Sequence, residues 1–131
     1  MDKKLELELV KKYPNLFRDY GGDMKKTCMV WGFCHGNGWY NIIDNIGSRL
    51  SELNLEDKVI AIQVKEKFGG LRFYYSVDTT DIDNSEYKKI EKIITEAEKE
   101  SCKTCEVCGA KGEQRGKAWI RTLCDKCNKN S

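Results

Sequence analysis

The sequence predicts an α+β fold, with helices packed on a small antiparallel sheet and a four-cysteine zinc module at the C-terminus. Three observations predict it. Apolar residues recur at helical spacing in three separate stretches, two alternating stretches flank Gly69-Gly70, and four of the seven cysteines form two Cys-x2-Cys knuckles near the end. The chain accordingly divides into an α+β core domain over 1–101 and a zinc-binding tail over 102–131 packed on it. At 131 residues, the length suffices for one core.

Residues 3–13 read as the first helix. Leu5, Leu9 and Lys12 share a face with Leu7 and Val10 beside it, and Pro14 ends the helix by disfavouring α geometry at Tyr13. Gly21-Gly22-Asp23 is a turn. Thr27 to Phe33 is apolar and partly β-branched, a strand or a buried loop, which puts Trp31 in the core. Cys28, Cys34 and His35 match no metal-ligand spacing, so both thiols are expected to be buried and free. His35-Gly36-Asn37-Gly38 is a turn signal. The second helix covers Trp39 to Leu53, with Trp39, Ile42, Ile43, Ile46, Leu50 and Leu53 facing the core.

Lys58 to Phe68 and Leu71 to Val77 read as a hairpin, the β-hairpin of 58–77, closed by Gly69-Gly70 in a primed turn. That register opposes Phe68 to Leu71 and Lys67 to Arg72. It sends Ile60, Ile62, Val64, Glu66, Phe68, Leu71, Phe73, Tyr75 and Val77 to the core, and Ala61, Gln63, Lys65, Lys67, Arg72, Tyr74 and Ser76 to the other face. The second face holds three cations and no acid. Like charges opposed across a strand pair destabilise it, so a bound anion or an acid from the Asp78–Asp83 turn should offset them; a solvated face screened by salt is the alternative. A free hairpin edge would also permit pairing between two copies, giving a homo-oligomer. Asp83 with Glu86 forms a capping box for a third helix over 85–101, whose stripe is Tyr87, Ile90, Ile93, Ile94 and Ala97.

Cys105-Glu106-Val107-Cys108 and Cys124-Asp125-Lys126-Cys127 stand 15 residues apart. Two residues between ligands let a tight turn aim both thiolates at one ion, and two such turns give tetrahedral sulfur coordination, which favours zinc. Four thiolates leave no open position, so such an ion is structural. Cys102 also forms a Cys-x2-Cys pair with Cys105, but Gly109 after Cys108 favours Cys105 and Cys108 as ligands and leaves Cys102 at the end of the third helix.

Lys and Arg number 23 against 21 Asp and Glu, a net charge of +2, which excludes a protein that coats polyanions along its whole surface. Residues 58–77 nevertheless carry four basic and one acidic side chain, and residues 102–131 carry seven and three. No apolar run approaches the roughly 20 residues that span a bilayer, and the first residues lack the hydrophobic stretch of a secretory signal. A cytoplasmic protein without membrane contact is the expectation. Catalytic patterns are missing too: there is one histidine, no HExxH, no Walker loop, no nucleophile elbow and no His-x-Glu ahead of the knuckles. A non-enzymatic role is therefore expected.

The segments Tyr13-Pro14-Asn15-Leu16-Phe17, Cys28-Met29-Val30-Trp31-Gly32-Phe33, Gly38-Trp39-Tyr40, Val64 to Tyr74, Cys105 to Gly109 and Trp119 to Asp125 span most of the chain. On these, above all Lys67-Phe68-Gly69-Gly70-Leu71-Arg72-Phe73-Tyr74, the chain resembles a family of small phage and prophage proteins with a hairpin of this type and a C-terminal knuckle pair. The resemblance implies an accessory protein in the cytoplasm of a bacterial host, and it carries over no catalytic residues. The residues point to an anionic ligand or partner, and with the resemblance the expected ligand is a nucleotide-derived small molecule held by Lys65, Lys67, Arg72 and Tyr74, with Trp31, Trp119 or Arg121 stacking or clamping. In the setting the resemblance implies, that ligand would be an immune signal sequestered from host defence. Two alternatives are an inhibitor seated on a host defence protein and a zinc-containing nucleic-acid-binding regulator.

Overall fold

The computed structural model describes residues 1–23, 25 and 27–130, with only the backbone of Thr79; Ser131, at the end of the expected tail, lies outside the described residues. The fold is α+β. In chain order it runs α1 Lys3–Lys12, β1 Phe33–Cys34, α2 Tyr40–Glu52, β2 Val59–Lys67, β3 Gly70–Val77, α3 Asn84–Ser101, β4 Glu113–Arg115, β5 Arg121–Leu123 and α4 Asp125–Lys129. The main sheet has the order β1-β2-β3, with β1 parallel and β3 antiparallel to β2; β4 and β5 form a separate ladder. The main sheet is thus mixed rather than purely antiparallel.

The first helix buries a different stripe from the one its leucines suggest. Glu6, Leu9 and Tyr13 face inward, while Leu7 is exposed. Glu6 is satisfied there: its carboxylate accepts from the Phe33 backbone N–H at 2.9 Å and from the Tyr20 hydroxyl at 2.7 Å, which removes most of the cost of burying a charge. Tyr13 packs its ring on Gly47 of α2 and donates to the Asp44 carboxylate at 2.7 Å. In α2 the expected stripe of Trp39, Ile42, Ile43, Ile46 and Leu50 is buried, whereas Leu53 lies past the helix end and is exposed. The capping box at Asp83 and Glu86 is formed, and Ile90, Ile93, Ile94 and Ala97 of α3 are buried; Tyr87 is exposed.

The hairpin closes differently from the Gly-Gly expectation. Lys67 pairs with Gly70, Glu66 with Leu71 and Lys65 with Arg72, so the two turn residues are Phe68 and Gly69, both at positive φ (54° and 82°). Gly70 is a strand residue, and a Cβ there would stand 3.3 Å from Cys102 Sγ. Glycine at 70 answers crowding, not turn geometry. A bulge between Ala61 and Gln63 then inverts the start of β2. Val59 and Ala61 join Val64, Leu71 and Phe73 in the core, while Ile60 and Ile62 are only half-buried. Glu66 lies on the apolar side because it folds back on the turn, accepting from the Gly69 N–H at 2.8 Å.

The free edge of β3 is partly closed by α3. The Ser101 hydroxyl accepts from Leu71 N–H at 2.8 Å and the Glu98 carboxylate from Phe73 N–H at 3.0 Å. This blunts the part of the edge nearest the turn, as proteins commonly do to avoid strand addition. Both Ser101 and Leu71 are 0% exposed. Ser101→Ala should therefore strand a buried N–H and lower stability by about 1–3 kcal/mol, measured by urea unfolding with an unchanged m-value.

Candidate metal centre and cationic sheet face

The two knuckles meet in space. The Sγ atoms of Cys105, Cys108, Cys124 and Cys127 all lie within 4.8 Å of one another, and Cys108 Sγ stands 3.6 Å from Cys124 Sγ. Their local folds differ. The first knuckle is a loop tied by Cys105 N–H to Ala110 O at 2.7 Å and Gly109 N–H to Cys105 O at 2.9 Å. The second opens α4, with Cys124 as its N-cap. The β4–β5 ladder carries the chain between them, and Arg115 braces it by donating to Leu123 O and to the Asp125 carboxylate.

Burial disfavours ionisation of Cys105, but backbone hydrogen bonds at Cys124, Cys108 and Val107 outweigh it and bring its pKa down to about 6. Cys127 is pushed up to about 12, by its hydrogen bond to Cys124 first, then by burial and by the neighbouring thiols. Four sulfurs this close resist ionising together unless a cation joins them, and a site of four thiols fits a soft metal ion. Cys102 is not in the cluster; it caps α3, with Gln114 Nε2 3.6 Å from its Sγ.

The tail is seated on the core at two places, the first of them the segment 104–106. Gly38 N–H donates to Glu106 O at 2.7 Å, Gly36 N–H to the Glu106 carboxylate at 2.8 Å, and Trp39 Nε1–H to Thr104 O at 2.9 Å. A Cβ on Gly38 would meet Cys105 O at 2.1 Å, so any side chain there would prise a metal-site backbone off the core. On the far side, Thr122 donates to Gly69 O at 2.5 Å, tying β5 to the tip of the main hairpin. Glu106 is buried at this junction and faces Arg121 at 3.8 Å.

The main sheet presents its other side to solvent. Cys34, Lys65 and Arg72 form one row across β1, β2 and β3. Gln63 and Tyr74 are paired in the next row on that face, and Lys67 lies toward the tip. Lys65 and Arg72 are thus the opposed like charges, rather than Lys67 and Arg72. The acidic turn does not relieve them: Asp81 pairs with Lys58 at 3.4 Å. Among the described residues, none of Lys65, Lys67 and Arg72 forms an ion pair. Lys65 Nζ instead stands 6.0 Å from the Tyr74 ring centre, and Lys67 Nζ 5.6 Å from that of Phe68.

Aromatic rings border this face. Trp31 closes a 3-10 turn over Cys28–Trp31 beside β1 and is 68% exposed, against the expectation of a core residue. Trp119 is 78% exposed in the loop between β4 and β5. Phe68, assigned to the core by the Gly-Gly register, is 66% exposed at the hairpin tip. Cys34 is exposed too, contrary to the buried thiol expected, because β1 pairs in parallel and places it beside Lys65. Lys65, Lys67, Arg72 and Tyr74 therefore share one surface, and Trp31 stands beside β1; Arg121 lies with its backbone against Gly69 at the tip but turns its guanidinium to Glu106. A cleft of about 430 Å³ lies elsewhere, between α2 and α3, with Asn41, Asn45, Arg49, Glu96 and Glu100 in its walls.

His35 is buried between Phe33 and Trp39, with Nδ1 on Gly36 O at 2.8 Å and Nε2 without a partner. Burial lowers its pKa to about 4 from the usual 6.5. No protein family, curated sequence or solved structure matches the chain.

Two outcomes are expected. Elemental analysis should find one metal ion per chain, and a strong chelator should abolish amide protection over 104–127. For His35, the unfolded chain takes up a proton near pH 6.5 and the folded chain only near pH 4, so its contribution is complete above 6.5 and is lost as pH falls toward 4. The loss should be about 2–3 kcal/mol. It is read as the difference between wild type and His35→Phe in urea unfolding across that range, which separates it from protonation of the thiols.

Proposed function

We propose that the protein is a non-enzymatic binder of a nucleotide-type anion, with phosphate on the cations of the sheet face and bases on the rings beside it. The observation that carries this is the row of Lys65 and Arg72, like charges directly opposed with no acid paired to either among the described residues. Such a pair costs folding energy that a bound anion would offset. Tyr74, Trp31 and Trp119 supply exposed rings; Arg121, whose guanidinium faces the Glu106 carboxylate at 3.8 Å, is the weaker clamp.

The four-cysteine site is assigned to zinc, since four thiolates at this spacing suit a tetrahedral ion and close its coordination sphere. Its role is to fold the tail and hold Thr122 against Gly69. A binding role without catalysis is supported by the chemistry at hand. The sole histidine is buried and neutral at physiological pH, and four thiols are committed to the metal. The phage-type motifs support a setting in the bacterial cytoplasm, where holding a nucleotide-derived signal or nucleic acid away from host defence requires affinity alone. Among the described residues no helix is long and apolar enough to cross a membrane.

Lys65→Glu separates binding from folding. Placing a carboxylate opposite Arg72 converts a repulsive pair to an attractive one, so stability should hold or rise by about 0.2–1 kcal/mol. The thermal shift produced in wild type by ADP-ribose, cyclic dinucleotides or oligonucleotides should disappear in the variant. A protein that shows no shift with any of these, yet retains a host protein on purification, would be the inhibitor of the alternative reading.

A further inference from the structure

Phe68 is the residue in this fold that folding itself does not explain. It occupies the first central position of a two-residue primed turn at φ 54°. That conformation suits Gly, Asn or Asp and is unfavourable for a bulky side chain. Its ring is 66% exposed, so it contributes little to the core, and the charge near it is Lys67 at 5.6 Å. Strain of this kind persists where the surrounding structure fixes it and is concentrated at functional positions.

The surroundings do fix it. Gly69 O accepts from Thr122, and a Cβ on Gly69 would stand 3.0 Å from Ile120 Cγ2, so the turn rests on the segment next to Trp119. Two exposed rings from segments far apart in the sequence, Phe68 and Trp119, are thereby carried on adjoining backbone. Trp31 is a third, beside β1. Lys65, Lys67 and Arg72 lie on one face of the sheet, whose hairpin tip carries Phe68 and whose strand β1 follows Trp31.

From this arrangement we infer that the ligand is a single-stranded nucleic acid laid across the sheet, with bases stacked on Phe68, Trp119 and Trp31 and phosphates on Lys65, Lys67 and Arg72. The inference rests on the nucleotide reading above and adds the polymer and the part played by Phe68. A small nucleotide is held by a concave pocket that covers most of its surface, whereas Lys67, Phe68 and Tyr74 here stand exposed. An open cationic surface with separated aromatic platforms suits a strand that alternates base and phosphate. RNA and DNA strands share this chemistry.

The test uses the full chain with its metal bound. Fluorescence anisotropy follows binding of labelled oligo(U) and oligo(dT) of about 12 nucleotides, within the usual site size for single-strand binders. A duplex of equal length and the mononucleotides UMP and dTMP serve as competitors. Both strands should bind, the tighter one identifying RNA or DNA as the source, and duplex and mononucleotide should compete at least about tenfold more weakly. Phe68→Asn makes an Asn-Gly turn, which favours this geometry, so its melting temperature should equal or exceed that of wild type. Its affinity for the strand should nevertheless fall about tenfold, as the loss of one stacked base predicts. If Phe68→Asn binds the strand as wild type does, or UMP competes as well as the oligomer, the inference is overturned while the nucleotide reading stands. If no strand binds, the inference is overturned, and the nucleotide reading falls with it only when ADP-ribose and cyclic dinucleotides also give no thermal shift.

Discussion

Four sulfurs confined within 4.8 Å impose the constraint on which the rest of the surface depends. Thiols this close cannot ionise together without a cation, and a tail of about 30 residues has too little core to fold without one. Once the knuckles are joined, β4 and β5 are held in register, and Thr122 and Ile120 are set against the turn of the main hairpin. The Cys105-Glu106 backbone is seated on Gly36 and Gly38 by the same event. The four-cysteine cluster at one end of the chain is thereby tied to groups contributed by its middle.

The main sheet is used on one side for stability and on the other for its surface. Its inner side carries Val59, Ala61, Val64, Leu71 and Phe73 against the isoleucines of α2 and α3. Its outer side carries cations that no acid among the described residues neutralises. An antiparallel pair tolerates this division because its two faces are chemically independent. The edge of β3 is treated differently again: Ser101 and Glu98 take up backbone donors that would otherwise invite another strand. Pairing of a further strand with that part of the edge is thus discouraged.

Where stability and exposure conflict, the conflict is local. Phe68 is strained and wet, Lys65 and Arg72 repel, and Trp31 and Trp119 lie in solvent. All lie on or around one sheet face, whereas the buried groups elsewhere are mostly satisfied. Glu6 has two donors, and Glu106 accepts from Gly36 and Gly38. His35 Nε2 is the buried side-chain atom left without a partner among the described residues, and the cost is small because the ring stays neutral.

Spacing alone determined the three longer helices, the capping box of α3, the α+β class and the two Cys-x2-Cys knuckles, because each rests on residues a few positions apart; the inward stripe of α1 and the short helix α4 were not legible that way. The alternation of β3 was equally legible, and so was the gathering of Lys65, Lys67 and Arg72 on one face, since side-chain parity survives a shift of two in register. Only the tertiary structure decided which dipeptide turns the hairpin. Phe68-Gly69 and Gly69-Gly70 both suit a two-residue turn, and the register that pairs Lys67 with Gly70 selects the first. The bulge at Ala61 and Gln63, the parallel strand that exposes Cys34, and the loop that lifts Trp31 out of the core were likewise invisible in pattern. Each depends on packing between segments distant in sequence, where no local preference acts.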